Sequence, residues 1–413
     1  MPRTDALNVL ERALEMGAGI LRLAPTWVPR VAMIPGGRLQ LDPRDLYALG
    51  PDRGAIDERW LASTTQADNG PATPEDEGLS YIMVEPELGT ERILLRDAID
   101  LAGDKILGTA VRENGGWNVL TKFFDTAEPI PFHMHPDDAQ AGKVGKSGKA
   151  EAYYFPPQLN AVHHRFPLTY FGLQPGTTPD DIKGCLERWD EGDNQILDHS
   201  RNYALEPGTA WDVPAGILHA PGTLLTYELQ QASDVVAVFQ SSHAGRPMPR
   251  EMLVKDVPPE FHRDLDYIVR MLDWEKNVDS EFERHRRIES MPIGDLEVTR
   301  KEGYQELWII HGSPCFSAKE LIVFPGQTAT LQDHAAYGLI VIQGRGRVGS
   351  LPVESPTRIR FGEMTADELF VTAAAASNVT VMNESDNEEL VVLKHFDSGH
   401  PGLPSIQNQK IER

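Results

Sequence analysis

Apolar and polar positions divide the chain into a short helical opening, two long stretches of β alternation and a helical interval between them. Leu7, Leu10 and Leu14 recur at helical spacing within Thr4–Met16, with Thr4 or Asp5 available as a cap, and predict one amphipathic helix. From 21 to 70 the chain is rich in Pro, Gly and Arg with brief apolar runs, which reads as strands and irregular cover. The polar stretch TTQADNGPATPEDEG (64–78) reads as an exposed loop, and 93–107 as a helical segment. Strand signals follow at Ala150–Phe155, Leu168–Leu173 and Leu224–Gln231, with a strand, a Glu-Pro-Gly turn and a second strand over Tyr203–His219. Thr178–Arg188 places Pro early and acidic residues in the first turn, a helix start. Phe261, Leu265, Ile268, Val269 and Leu272 fall on one face of a helix expected over Glu260–Trp274.

Strands resume near Glu306, and Ser317–Phe396 carries a second set of strands and Gly turns whose order loosely repeats the first. Many short strands at close spacing argue for a mainly β protein of barrel or sandwich type. The expected division is an N-terminal unit over 1–260, a helical linker over 261–300 and a C-terminal unit over 301–413.

Composition narrows the class. The chain has 413 residues, enough for two or three cores, and its 40% hydrophobic and 24% charged content is that of an ordinary globular protein. No run of about eighteen apolar residues offers a membrane span, and the acidic residues in MPRTDALNVLERALEMGAGI argue against a signal peptide. Two cysteines, Cys185 and Cys315, make no disulfide framework, which fits a reducing, cytoplasmic setting. A net charge of −23 disfavours nucleic acid and anionic membrane as partners. It also means that an anionic substrate would need a local basic pocket.

The candidate chemistry lies in TKFFDTAEPIPFHMHPDDAQAGKVGKSGKAEAYYF, 121–155. On a strand His133 and His135 project from one face and Met134 from the other. Glu151 opens the next strand, and the turn at Pro214, Ala215 and Gly216 precedes His219. An isolated H-x-H pair is commonly a half-buried polar pair; Glu151 and the PAG-x-x-H turn make it a set. Three nitrogens and one carboxylate oxygen suit zinc, manganese, iron or nickel better than magnesium or calcium. The set is not repeated in the second β stretch. There His334 stands near the equivalent place with Gln332 two positions earlier, and Gly338 and Leu339 lie where a Glu would follow. A metal-free unit serving packing or oligomerisation is expected, and homo-oligomerisation is left open.

Several ordered motifs together resemble the type I mannose-6-phosphate isomerases (phosphomannose isomerases), a zinc-dependent cupin family. They are FHMHPDD at Phe132–Asp138, KAE at Lys149–Glu151, PAGILHA at Pro214–Ala220 and ELQQASD at Glu228–Asp234, with ERWLAST and FFDTAEP upstream. The resemblance covers most of 20–240 and, more weakly, the C-terminal stretch. It implies two cupin-type β-barrels (a bicupin) with a few helices covering them. It implies one divalent metal, zinc first, held by His133, His135, Glu151 and His219. It further implies a small-molecule sugar or sugar phosphate as partner, isomerised between aldose and ketose through an enediol. Lys149 would face the substrate as a catalytic residue, with Asp138 and Glu228 as further substrate contacts. In two places the chain departs from the family. His133 replaces the family's usual Gln, which brings the ligand set closer to other metal cupins such as the lyxose isomerase-like sugar isomerases. After Ser233-Asp234 the chain reads VVAVF where bacterial members carry an Arg, so phosphorylation of the substrate is left open. Lys143 and Lys146, or His163, His164 and Arg165, offer basic clusters that a phosphate would need. An iron-dependent cupin oxygenase and a non-catalytic sugar-binding cupin are the alternatives.

Overall fold

The structure, a computed structural model, describes residues 3–404 apart from 32, 85–90, 110–114 and 163–165. It is mainly sheet, and its strand ladders are antiparallel. A seven-stranded sheet runs in the order Arg287–Ile288, Ala210–Val213, Glu151–Tyr154, Thr226–Gln231, Val119–Phe124, Ala55–Leu61, Thr26–Arg30. On one face lies a five-stranded sheet ordered Ser200–Ala204, Leu168–Leu173, His219–Ala220, His133–Met134, Ala237–Val238. The second half has its own pair. One is a seven-stranded sheet ordered Ile20–Arg22, Glu368–Val371, Tyr337–Gln343, Leu390–Asp397, Phe316–Val323, Tyr304–Ile310, Met291–Pro292. The other has four strands, Thr328–Leu331, Val379–Asn383, Arg345–Val348 and Leu351–Glu354.

The two seven-stranded sheets pack back to back. Ile56, Phe123, Ala152 and Leu229 of the first share a core with Ile309, Ala318, Ile340 and Leu393 of the second. Because both faces of each are covered, strands such as Val119–Phe124 are buried at every position rather than at alternate ones. Alternation persists in which neighbour each side chain meets: Val119 and Phe123 enter the shared core, while Phe124 enters the apolar cluster of Phe171 and Leu224. Polar ties cross the shared core as well. Arg59 pairs with Asp367 at 2.7 Å and Glu368 at 3.0 Å, and the Tyr154 hydroxyl donates to Glu320 at 2.7 Å.

The expected elements are present, with shifted bounds. The first helix is Arg3–Met16, and its buried face is Ala6, Val9, Leu10 and Ala13, with Leu14 only partly covered. At 93–107 the strand Glu91–Leu94 comes first, Ile93 pairing with Ile82, and the helix is Leu95–Ile106. Pro179–Glu187 is helical behind a capping box of Thr178 and Asp181. The single helix expected over 260–274 is broken into Leu265–Arg270 and Trp274–Asn277, because Asp264 and Asp273 each cap a new start. The sheets stay separate and do not close into barrels: His133–Met134 and His219–Ala220, at the centre of the five-stranded sheet, are only two residues long. Ile20–Arg22 pairs with Glu368–Val371, far along the chain. No helix among the described residues is long and apolar enough to cross a membrane.

Candidate metal centre

Phe132 and Met134 point into an apolar core shared with Leu186 and Leu253, which leaves His133 and His135 on the opposite face. His219 stands directly across the ladder from His133, and the two ring centroids lie 4.2 Å apart. The turn before His219 is anchored from both sides. The Gly216 N–H donates to the His135 carbonyl at 2.8 Å, and the buried Asn277 bonds Gly216 O and Leu218 N, each at 2.8 Å. Gly216 has φ +82°, and a Cβ there would meet the Asp273 backbone N at 3.0 Å, so glycine is required. Glu151 arrives from the seven-stranded sheet, in register with Val213 and Gln230.

Each of the three histidines has its Nδ1 on a backbone carbonyl: His133 on Pro131 at 2.7 Å, His135 on Val235 at 2.6 Å and His219 on Ile217 at 2.8 Å. A carbonyl only accepts, so Nδ1 carries the proton and Nε2 presents a lone pair. Burial, reinforced by the neighbouring histidines, pushes His133 well below the ordinary imidazole range. Burial also lowers His135 to about 4 against the pull of Glu151. His133 and His135 are therefore neutral near pH 7. Nε2 of His135 lies 2.9 Å from one Glu151 oxygen and Nε2 of His219 lies 3.2 Å from the other, and with the proton on Nδ1 neither Nε2 has one to donate. Lone pairs facing a carboxylate at these distances repel unless a cation sits among them. The ligand atoms of His133, His135 and His219 lie within 4.8 Å of one another, so the residues present fit a divalent metal. The carbonyl contacts fix the ring orientations such a metal needs.

Glu151 is wholly buried. Burial alone would raise it, but His135 and Lys149 outweigh that and hold it well below the usual carboxylate range. The Lys149 ammonium is 3.0 Å from Glu151, and the Tyr153 hydroxyl donates to the other carboxylate oxygen. Glu228, next along the same interior face, behaves oppositely: burial, and then the Glu151 charge, push it up to about 8. The structure thus brings His133, His135, Glu151, His219, Lys149 and Glu228 together. It does not bring Asp138 to them. Asp138 is exposed and accepts from the Gly148 N–H at 2.8 Å, bracing the loop between the two motifs. Lys143 and Lys146 are on that loop too, Lys146 held by Asp256 at 2.7 Å; His163, His164 and Arg165 lie outside the described residues.

Sequence reasoning missed the charged layer beneath the cluster. Lys122, on the strand beside Glu228, sits 3.5 Å from it and 3.3 Å from Glu58. Glu58 also accepts from the Trp60 indole at 2.7 Å and pairs with Arg30 at 3.2 Å; Arg30 in turn meets Asp234 at 3.3 Å. The available signal was a charge inside an apolar strand, the Lys of VLTKFF and the Glu of AIDERWL, since buried charges require partners. The VVAVF segment supports a histidine, its first carbonyl receiving the His135 Nδ1 proton.

No family model matches the chain, and no curated protein matches it in sequence. Solved structures do match in fold. The mannose 6-phosphate isomerase of Bacillus subtilis superposes with a TM-score of 0.61 at 16% identity, over 91% of this chain and 99% of that one. A single-residue mutant of phosphomannose isomerase from Salmonella typhimurium gives 0.59 at 15%, over 92% and 100%. A mannose 6-phosphate isomerase bound with zinc and yttrium gives 0.58 at 14%, over 92% and 100%. At such identities the likeness is one of fold.

Proposed function

We propose that the protein is a metal-dependent aldose–ketose isomerase acting on a sugar or sugar phosphate, with His133, His135, Glu151 and His219 holding one divalent ion, zinc before manganese, iron or nickel. The observation that carries this reading is the convergence of the His133, His135 and His219 ring nitrogens within 4.8 Å of one another, two of them against the buried Glu151 carboxylate, in a fold shared with mannose 6-phosphate isomerases. The paired sheets of each half correspond, on this reading, to two cupin units that are incompletely closed.

A divalent ion in this position supplies Lewis-acid polarisation of adjacent sugar oxygens. The remaining work falls to the chain. Isomerisation requires a proton to leave C2 and arrive at C1, and a carrier that exchanges protons near neutral pH. Glu228, raised to about 8 by burial and by Glu151, fits that role, and Lys122 at 3.5 Å stabilises its ionised form. Lys149, fixed by Glu151, can donate a hydrogen bond to a substrate oxygen where negative charge develops. Asp138 acts by holding the loop that carries Lys149.

The test is product formation. Zinc-loaded protein is incubated with mannose 6-phosphate, mannose and lyxose, and the corresponding ketose is followed by carbon NMR. A ketose from one of them supports the proposal. Oxygen uptake by the iron-loaded protein with no ketose from any sugar would replace it with the oxygenase reading.

A further inference from the structure

The strand Thr226–Gln231 runs on into a segment, 233–236, that touches the histidine cluster on one side and a ring of charges on the other. The Val235 carbonyl receives the His135 Nδ1 proton. Its neighbours meet carboxylates and cations. The Val236 N–H donates to Asp256 at 2.8 Å, and the Asp234 side chain accepts from the Asp68 N–H at 3.1 Å and from Arg30 at 3.3 Å. Asp68 comes from the polar 64–78 loop, and its own carboxylate lies 3.0 Å from the Lys255 ammonium and 3.6 Å from that of Lys146. Lys146 has a second carboxylate, Asp256, at 2.7 Å. Partial burial would raise Asp68, but Lys255 and then Lys146 hold it below the usual carboxylate range, so it is ionised at neutral pH.

A phosphate group carries a charge of about −1.5 to −2 near neutral pH, and lysine or arginine must be available to receive it. Beside this site those side chains are engaged. Lys122 lies between Glu58 and Glu228, Lys149 is on Glu151, Arg30 is shared by Glu58 and Asp234, and Lys146 and Lys255 converge on Asp68. Lys143, on the same loop as Lys146, bonds Gln140 and the Tyr267 hydroxyl; Tyr267 packs on the core of Phe132 and Met134, the face opposite the histidines. Among the described residues, these cations around the cluster are matched by carboxylates built into the chain, in a molecule of net charge −23. A phosphate entering here would have to displace Asp68 from two lysines against its like charge. An uncharged sugar meets no such opposition, since its hydroxyls donate to carboxylates and accept from ammonium groups alike.

On the isomerase reading of the cluster, which this extends, we propose that the substrate is an unphosphorylated sugar. Asp68 determines that specificity by occupying the Lys146 and Lys255 pair that a phosphate would otherwise bind.

Full-length zinc-loaded protein is assayed for ketose formation from mannose, lyxose and mannose 6-phosphate, and inorganic phosphate is tested as an inhibitor of the sugar that turns over best. Mannose or lyxose should exceed mannose 6-phosphate in kcat/KM by about 100-fold or more. Asp68→Asn keeps the backbone N–H on Asp234 and releases the two lysines. Inorganic phosphate should then compete with the sugar, raising its KM by about fivefold or more without lowering kcat. Adding Lys255→Met to Asp68→Asn should abolish that competition, a reversal that mere loosening of the loop would not give. Mannose 6-phosphate turned over as well as or better than both unphosphorylated sugars would overturn the inference and leave the isomerase reading standing. An Asp68→Asn protein no more sensitive to phosphate than the wild type would do the same. Full zinc occupancy with no ketose from any of the sugars would overturn the isomerase reading and the inference with it.

Discussion

His135 and His219 show how a ligand set is prepared at the level of single atoms. Each gives its Nδ1 proton to a backbone carbonyl, so removing one ring leaves the carbonyl unpaired as well as the metal short of a ligand. His219→Ala should lower zinc affinity by at least about 10-fold, read by competition with a chromophoric chelator. Glu228 touches no ring nitrogen, and its function is separable from metal binding. Glu228→Gln should keep one zinc per chain and lower the isomerisation rate by about 10²–10⁴-fold; loss of zinc in this variant would assign Glu228 to the metal instead. Asp138→Asn should change neither zinc content nor stability by more than about 0.5 kcal/mol, because its side chain is exposed and its bond to Gly148 survives the change.

Among the elements, local patterns were legible and the partners of each face were not. The H-x-H strand, the KAE strand and the PAG turn could be read because period-two alternation and a glycine turn are local properties. The helix start over Thr178–Arg188 was legible for the same reason, from its early Pro and acidic first turn. The break at Asp264 and Asp273 was not, since an apolar helical face continues through it and only the two capping carboxylates interrupt the backbone. Lys122 and Glu58 escaped notice because their partnership joins strands distant in the chain. The turn before His219 provides an element-level test. Gly216→Ala places a Cβ on a backbone at φ +82° and against Asp273. It should cost more than about 1 kcal/mol in thermal unfolding and weaken zinc binding, because the same turn sets the His219 ring.

Across the whole molecule, the junction between the halves is a packed core with buried polar groups, and it gives folding a pH dependence. His395 lies in that core with its Nδ1 3.0 Å from the Tyr227 hydroxyl, and burial alone lowers its pKa to about 3. A histidine depressed in the folded state binds fewer protons there than in the unfolded chain. The contribution of His395 to stability is therefore full above about pH 6.5 and falls as pH drops from there towards 3, by at most about 1.4 kcal/mol per unit. His395→Gln should flatten that part of the curve, measured by denaturant unfolding at successive pH values. The loose repeat was legible in the order of strands and Gly turns, whereas the antiparallel order of the two seven-stranded sheets became visible only in their ladders.

Isomerisation through a shared proton is the central claim, and solvent isotope incorporation tests it most directly. Zinc-loaded protein in deuterium oxide, supplied with mannose 6-phosphate, fructose 6-phosphate, mannose, fructose and lyxose in turn, is followed by proton NMR. Deuterium is expected at C1 or C2 of at least one of these sugars, lost in Glu151→Ala together with the zinc. Full occupancy by zinc with no deuterium entering any of the sugars would contradict it.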